Sequence, residues 1–134
     1  MDITAEFFQI AIESISAQQT EAETTDKTPR SRYCCAVCNA LITDDRFSIR
    51  VNGQHQFTKI NPDQHEFSFA CFAEAQGCQK TGLATTKDSW FHDCQWRFAH
   101  CKSCSTQLGW FFSGAHNFFG LILEQLIDCK KVQD

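Results

Sequence analysis

The sequence lacks the basic surface that nucleic-acid binding usually requires. Its 12 lysine and arginine residues are outnumbered by 16 aspartate and glutamate residues, giving a formal net charge of −4, and they form no basic cluster. Proteins that bind nucleic acid displace counterions with a basic face, so we predict no nucleic-acid partner. Long apolar runs and polybasic stretches are also missing, which predicts no membrane partner.

The first residues lack the features of an export signal. Residues 1–6 contain neither a basic segment nor an uninterrupted apolar stretch, so we expect no secretory signal and a cytoplasmic protein. The chain has 134 residues, which is enough for one domain with a modest core rather than two.

Composition divides the chain into three regions. Residues 1–19 place Ile3, Phe7 and Ile10 roughly on one side of a helix, and such an amphipathic segment packs on the domain, frays or binds a partner. Residues 20–32 are rich in Thr, Glu and Lys, which predicts a flexible linker. Residues 33–130 form the predicted folded domain.

The predicted domain contains short β-prone stretches separated by Gly53, Asn61-Pro62, Gly77, Gly82 and Gly114. Many short strands with turn signals between them indicate a mainly β, antiparallel domain. The last part, residues 121–131, could instead turn helical, because its apolar side chains share one helical face. The predicted strands are residues 47–51, 56–60, 67–72, 95–99, 108–112 and 118–123.

Nine cysteines are a high number for this length, and an odd number in a reducing compartment indicates metal ligands plus spare thiols. Two cysteine pairs share one spacing, with two residues inside each pair. Such a pair lets both thiolates of a tight knuckle reach one ion, and two knuckles complete a tetrahedron. We therefore predict one zinc ion bound by Cys35, Cys38, Cys101 and Cys104.

A four-cysteine zinc site has no open position for water or substrate, so we predict a structural role. Such binding supplies roughly 10–16 kcal/mol in zinc-finger peptides, so loss of the metal should unfold the domain. The alternative, two redox pairs, normally needs a thioredoxin-like βαβ setting, which this pattern does not predict. Cys34 could compete as a ligand, and most of the others are expected to be small apolar fillers: Cys71, Cys78, Cys94 and Cys129.

All three tryptophans, Trp90, Trp96 and Trp110, lie in one short part of the chain, around the second cysteine pair. If the zinc site holds these segments together, the three indoles could form the walls of a box for a flat, compact, partly apolar group. Aromatic residues also fill cores, and spacing alone does not distinguish the two arrangements.

The order of these motifs resembles the cereblon-type, or CULT, domain. The run begins with the first cysteine pair and Asn61-Pro62, continues through Ser89-Trp90-Phe91 and Trp96, and ends with the second pair, Leu108-Gly109-Trp110 and Phe118-Phe119-Gly120-Leu121. The resemblance covers about residues 33–125 and depends on no single motif. Because the other cereblon domains are missing, the chain looks like the single-domain form found in bacteria.

The resemblance implies a β-tent, in which two antiparallel sheets are fastened by zinc at their apex. It implies a cage walled by the three tryptophans, with Phe112 at its floor or side, that binds the glutarimide ring of thalidomide-like drugs, related cyclic imides or uridine. Cyclic imides at protein C-termini are proposed natural ligands of the family. The implied ligand-binding residues are Asn61, Pro62, Asp88, Ser89, Trp90, Trp96, Trp110 and Phe112.

Two positions depart from the family pattern. Asp88 stands where cereblon has a histidine, and Cys94 stands where a tyrosine is usual. The departures put the shape of the cage rim in question rather than the cage itself. We expect a binding module and not an enzyme, with a small molecule or a protein C-terminus that carries the imide as its partner.

Two other functions are compatible with the residues. An aromatic box also binds a quaternary ammonium group by cation–π attraction, and Asp88 and Asp93 would favour a cation. The methionine sulfoxide reductases of type B have a similar fold with two zinc pairs. In that case Cys94 would be a nucleophile tuned by His92 or His100, although the strand motif of that family is missing.

Overall fold

The computed structural model describes residues 31–129. The predicted helix 1–19, most of the linker 20–32 and residue 130 lie outside the described residues. Within the described part, no helix is long and apolar enough to span a membrane.

Residues 31–129 form nine strands joined by turns and two short 3₁₀ segments, Asp45–Phe47 and Leu123–Gln125. The prediction of a mainly β domain is confirmed. The strands are β1 (Arg32–Cys35), β2 (Leu41–Asp44), β3 (Gln56–Ile60), β4 (Glu66–Phe72), β5 (Cys78–Thr85), β6 (Cys94–Cys101), β7 (Gln107–Gly114), β8 (Phe118–Ile122) and β9 (Leu126–Asp128).

The strands form two antiparallel sheets, as predicted. The smaller sheet has the order β2-β1-β9, and the larger has the order β3-β4-β8-β7-β6-β5. Strand β8 is buried along its whole length and lies in the middle of the larger sheet, between β4 and β7. Strand β8 lies so close to β7 at this point that a Cβ on Gly109 would collide with the carbonyl group of Gly120.

Two apolar clusters form the core. One packs residues of both sheets around Ile42, Phe72, Leu108 and Leu121. The other is largely aromatic and belongs mainly to the larger sheet, where Phe69 and Phe112 are almost fully buried. The candidate site forms where this second cluster reaches the surface.

The predicted strand 47–51 is wrong. Residues Asp45–Phe47 form a 3₁₀ turn, followed only by isolated bridges at Ser48 and Val51. The cause is local, because the Asp44 carboxylate accepts hydrogen bonds from Arg46 N at 2.9 Å and Arg46 Nε at 3.0 Å. These bonds favour a turn over an extended chain.

The helical alternative for residues 121–131 is also wrong for the part that the structure describes. Strand β8 ends at Ile122, and β9 then pairs with β1, with Ile127 opposite Cys34. Pairing with a distant strand overrides the local helical pattern, as tertiary contacts commonly do.

A disulfide joins Cys34 to Cys129, across a sequence separation of 95 residues. The predictions of Cys34 as a competing ligand and of Cys129 as a spare thiol are therefore wrong. The small strand β9 brings the two sulfurs together, because it lies beside β1. Cys71, Cys78 and Cys94 are buried free thiols, as expected for small apolar fillers.

Candidate functional site

Four cysteines from the two sheets converge at one point. Cys35 ends β1 in the smaller sheet, and Cys101 ends β6 in the larger sheet. Each begins a tight knuckle that presents a second cysteine three residues on, Cys38 and Cys104. The four sulfur atoms all lie within 4.8 Å of one another.

The sulfur positions fit one tetrahedral metal ion. Cys35 Sγ lies 3.7 Å from Cys104 Sγ, and Cys38 Sγ lies 3.6 Å from Cys101 Sγ. A zinc–sulfur distance of about 2.3 Å places tetrahedral sulfurs roughly 3.8 Å apart. The predicted ligand set is thus assembled in a geometry that suits a metal, and no redox pairing of these cysteines occurs.

Backbone and hydroxyl groups surround the sulfurs as they do in a metal knuckle. Val37 N donates to Cys35 Sγ and Ser103 N donates to Cys101 Sγ, both at 3.4 Å. Hydrogen bonding with Thr106 lowers the pKa of Cys104 to about 6, whereas burial raises the pKa of Cys35. A bound dication would favour the thiolate form of all four groups.

The three tryptophans line one cavity with a volume of about 260 Å³. Trp96 comes from β6, Trp110 from β7, and Trp90 from the loop before β6. The Trp90 and Trp110 rings are 4.8 Å apart and nearly perpendicular, at 82°. Trp110 is buried, while Trp90 and Trp96 are partly exposed on the cavity wall.

Backbone carbonyl groups fix the orientation of two of the indoles. Trp90 Nε1 donates to Ile60 O at 3.1 Å, and Trp96 Nε1 donates to Lys87 O at 2.8 Å. Both polar edges are thereby satisfied by the protein. The indole surface that lines the cavity remains available to a ligand, and a bound ring would meet aromatic surface rather than indole N–H groups.

A second layer of rings supports these walls. Phe69 stacks behind Trp90, with ring centroids 5.6 Å apart and an interplanar angle of 14°. Phe67 meets Trp110 edge to face at 5.3 Å. Two of the three walls, Trp90 and Trp110, are therefore packed against other aromatic rings.

Seven of the eight predicted ligand-binding residues line the cavity: Asn61, Pro62, Asp88, Trp90, Trp96, Trp110 and Phe112. Ser89 lies outside this lining, in a shallow depression next to the cavity mouth. Its hydroxyl group donates to Phe91 O at 3.0 Å, so it supports the loop that carries Trp90. Asn61 Oδ1 accepts from His65 N at 2.9 Å and holds the turn between β3 and β4.

Three lining residues were not predicted: Phe67, Phe98 and Gln107. Phe98 could have been found, because it lies two residues after Trp96 on the same face of β6 and pairs with Trp110. Gln107 could not, since an irregularity in the pairing of β6 with β7 near His100 brings it to this face.

The candidate nucleophile Cys94 does not line the aromatic cavity. It begins β6, is almost fully buried, and donates its S–H to His116 O at 3.6 Å. His100, one of its two proposed partners, is hydrogen-bonded to Thr81 Oγ1 at 2.8 Å. His92, the other proposed partner, lines a second cavity together with Cys94 and His116. The Cys94 thiol therefore lies outside the cavity that the three tryptophans line.

Comparison with known proteins gives a consistent result. No protein-family model matches the chain. The chain is 30% identical to protein cereblon of Drosophila melanogaster over 98 residues, 31% identical to that of Drosophila erecta over 105, and 28% identical to that of Danio rerio over 103. These matches cover 66%, 70% and 70% of this chain but only 17%, 18% and 24% of those proteins.

The chain therefore spans less than a quarter of the length of the curated relatives it matches. The similarity supports a cereblon-like, ligand-binding type of domain in this chain, with the mainly β fold and the four-cysteine cluster described above.

Proposed function

We propose that this chain is a non-catalytic binding module that captures a cyclic imide in the cavity walled by Trp90, Trp96 and Trp110. The observation that carries the proposal is the convergence of three indoles on one cavity, two of them held by backbone carbonyl groups. Zinc in the four-cysteine cluster and a cytoplasmic location belong to the same proposal.

The size of the cavity favours a small ring. A volume of about 260 Å³ falls just below the roughly 300–1,000 Å³ that is typical of pockets for drug-sized ligands. A single imide ring, or the base of uridine, would occupy it with the remainder of the ligand outside. The ligand is then either a small molecule or the modified C-terminus of a protein.

The loop before Trp90 offers polar groups that suit an imide. An imide ring presents one N–H donor between two carbonyl acceptors. The Asp88 carbonyl oxygen and the Trp90 N–H make no hydrogen bond within the part of the chain that the structure describes. The proposal assigns the first to the imide N–H and the second to an imide carbonyl, because unpaired groups of this kind gain most from a partner.

The decisive experiment is a calorimetric titration of the metal-loaded protein with glutarimide, thalidomide and uridine. We expect saturable binding of the imides in the micromolar range, near roughly −8 kcal/mol, since one ring has few atoms. Trp90→Ala should weaken binding about tenfold to a hundredfold, as expected for loss of one stacking wall worth about 1–3 kcal/mol.

Phe47→Ala serves as the control, because Phe47 packs against the other core cluster and lies outside the cavity. Trimethyl-lysine is titrated in parallel, since a carboxylate in the lining favours a cation. Binding of trimethyl-lysine alone would replace the imide proposal with a quaternary ammonium reader. A folded protein that binds none of these ligands would mean that the tryptophans serve packing only.

A further inference from the structure

Within the part of the chain that the structure describes, the cavity lining carries a single charged side chain, that of Asp88, among aromatic, amide and proline residues. The shallow depression next to the cavity mouth shares Asn61, Pro62, Asp88 and Trp90 with the cavity, and Asp88 is the only charged residue among its described lining residues too. A substituent that leaves the cavity by this depression therefore passes one carboxylate and no lysine or arginine in either lining.

We infer that Asp88 selects ligands by charge, so that the site accepts imides with neutral or cationic substituents and rejects anionic ones. The inference rests on the imide binding proposed above and specifies the ligand class further. Among pyrimidine ligands it favours the nucleoside over its phosphate. Among protein C-termini that end in a cyclic imide, it favours a neutral or basic preceding residue over an acidic one.

The backbone holds Asp88 at the mouth. On one side, the Lys87 carbonyl accepts the Trp96 indole N–H; on the other, Ser89 N donates to Thr86 O at 3.1 Å. Asp88 itself has a φ of 59°, in the left-handed region that Asp and Asn tolerate better than most residues. The position of its Cα is thus fixed by contacts on both sides.

Within residues 31–129, Asp88 takes part in no ion pair, and the neighbouring Lys87 lines neither the cavity nor the depression. An aspartate is an anion at neutral pH. Because Asp88 is exposed, its field is weakened by water and by salt, and we expect selectivity of several-fold to about tenfold per unit charge.

Three glutarimides with a common ring and a common amide linkage test the inference. The acetyl, glycyl and succinyl derivatives of 3-aminoglutarimide end in a methyl, an ammonium and a carboxylate group, respectively. Each is titrated at low and high salt into the wild-type protein, Asp88→Asn and Asp93→Asn. Asparagine retains the left-handed preference and removes only the charge. Asp93 is an exposed carboxylate of the same loop that does not line the cavity.

In the wild type we expect the cation to bind most tightly and the anion most weakly, with smaller differences at high salt. Asp88→Asn should bring the three affinities together, and Asp93→Asn should behave as wild type. Equal affinities in the wild type, or discrimination that persists in Asp88→Asn, would overturn the inference and leave imide binding intact. If none of the three binds the folded protein, the imide proposal itself is overturned.

Discussion

At the scale of single residues, the packing behind the aromatic cavity depends on the absence of a side chain at Gly120. Gly120 lies on β8 opposite Trp110. A Cβ at this position would lie 2.8 Å from Phe69 Cδ2 and 3.1 Å from Phe112 Cε2. Phe69 is the ring that stacks behind Trp90, so added bulk at Gly120 reaches the cavity wall through one intervening ring.

We expect Gly120→Ala to destabilise the protein by about 1–3 kcal/mol, the usual cost of overpacking a dense core. It should also weaken imide binding, because Phe69 moves toward Trp90. Urea unfolding gives the first quantity and calorimetry the second. The double variant Gly120→Ala with Phe69→Leu provides room for the methyl group, so the two changes should be non-additive. Additive losses, or unaltered binding in Gly120→Ala, would show that this contact does not support the wall.

At the scale of strands, the sequence predicts the strands in which apolar and polar side chains alternate and the strands that are strongly apolar. Strands β3, β4, β6, β7 and β8 were predicted within two residues at each end. Strand β5 was missed because it is an edge strand, where only Cys78 is buried and Gln79 and Lys80 are exposed. An exposed edge gives no apolar alternation to detect.

The short strands β1, β2 and β9 were missed for a different reason. Each has only three or four residues. Strand β2 pairs only with its neighbour β1, and the pairing of β1 with β9 joins strands that are distant in sequence. The same limit applies to the disulfide, since the approach of Cys34 to Cys129 follows from the pairing of β1 with β9. Spacing of cysteines along the chain contains no information about that pairing.

The candidate site was easier to predict than the fold around it. Most of its residues lie in runs with fixed spacing, such as Ser89-Trp90-Phe91 and the two cysteine pairs. The resemblance brought them together without any knowledge of the sheet order. What it did not provide is the second layer, where Phe67 and Phe69 support the indoles, because those contacts depend on the register of β4 beside β8.

The disulfide between Cys34 in β1 and Cys129 after β9 should contribute to the stability of the domain. Under oxidising conditions, Cys129→Ser should lower the free energy of unfolding by roughly 2–4 kcal/mol, because it releases a long closed loop. Urea unfolding with and without tris(2-carboxyethyl)phosphine measures the effect. In the reductant the wild type and the variant should be equally stable, which is the internal control.

Alkylation of the unfolded, unreduced protein followed by mass spectrometry provides an independent check. Seven cysteines are free, so seven should be labelled if the metal is removed first. Labelling of all nine cysteines would show that the pair is reduced, as thiols in a reducing cytosol generally are. The experiment therefore also tests whether the cytoplasmic location proposed here is compatible with this bond.

At the scale of the whole molecule, the four-cysteine cluster and the aromatic cavity share one hairpin. Strands β6 and β7 are joined by the knuckle that contains Cys101 and Cys104, and the same two strands carry Trp96 and Trp110. The first knuckle follows β1, in the other sheet. A metal ion bound by all four cysteines would thus fix the turn of this hairpin and fasten the two sheets to each other.

Removal of the metal should therefore abolish ligand binding and cooperative folding together. Binding at structural zinc sites supplies roughly 10–16 kcal/mol, which equals or exceeds the roughly 5–15 kcal/mol of net stability of an ordinary domain. We expect removal of the metal by 1,10-phenanthroline, or the substitution Cys38→Ser, to abolish the near-ultraviolet circular dichroism of the tryptophans. Imide binding should be lost in parallel, as the metal content per chain falls.

Cys94→Ala is the matched control, because Cys94 is a buried thiol outside the cluster. This variant should retain one metal ion per chain by elemental analysis. A metal-free protein that still unfolds cooperatively and binds glutarimide would show that strand pairing alone holds the cage, and the cluster would then need a role other than structure.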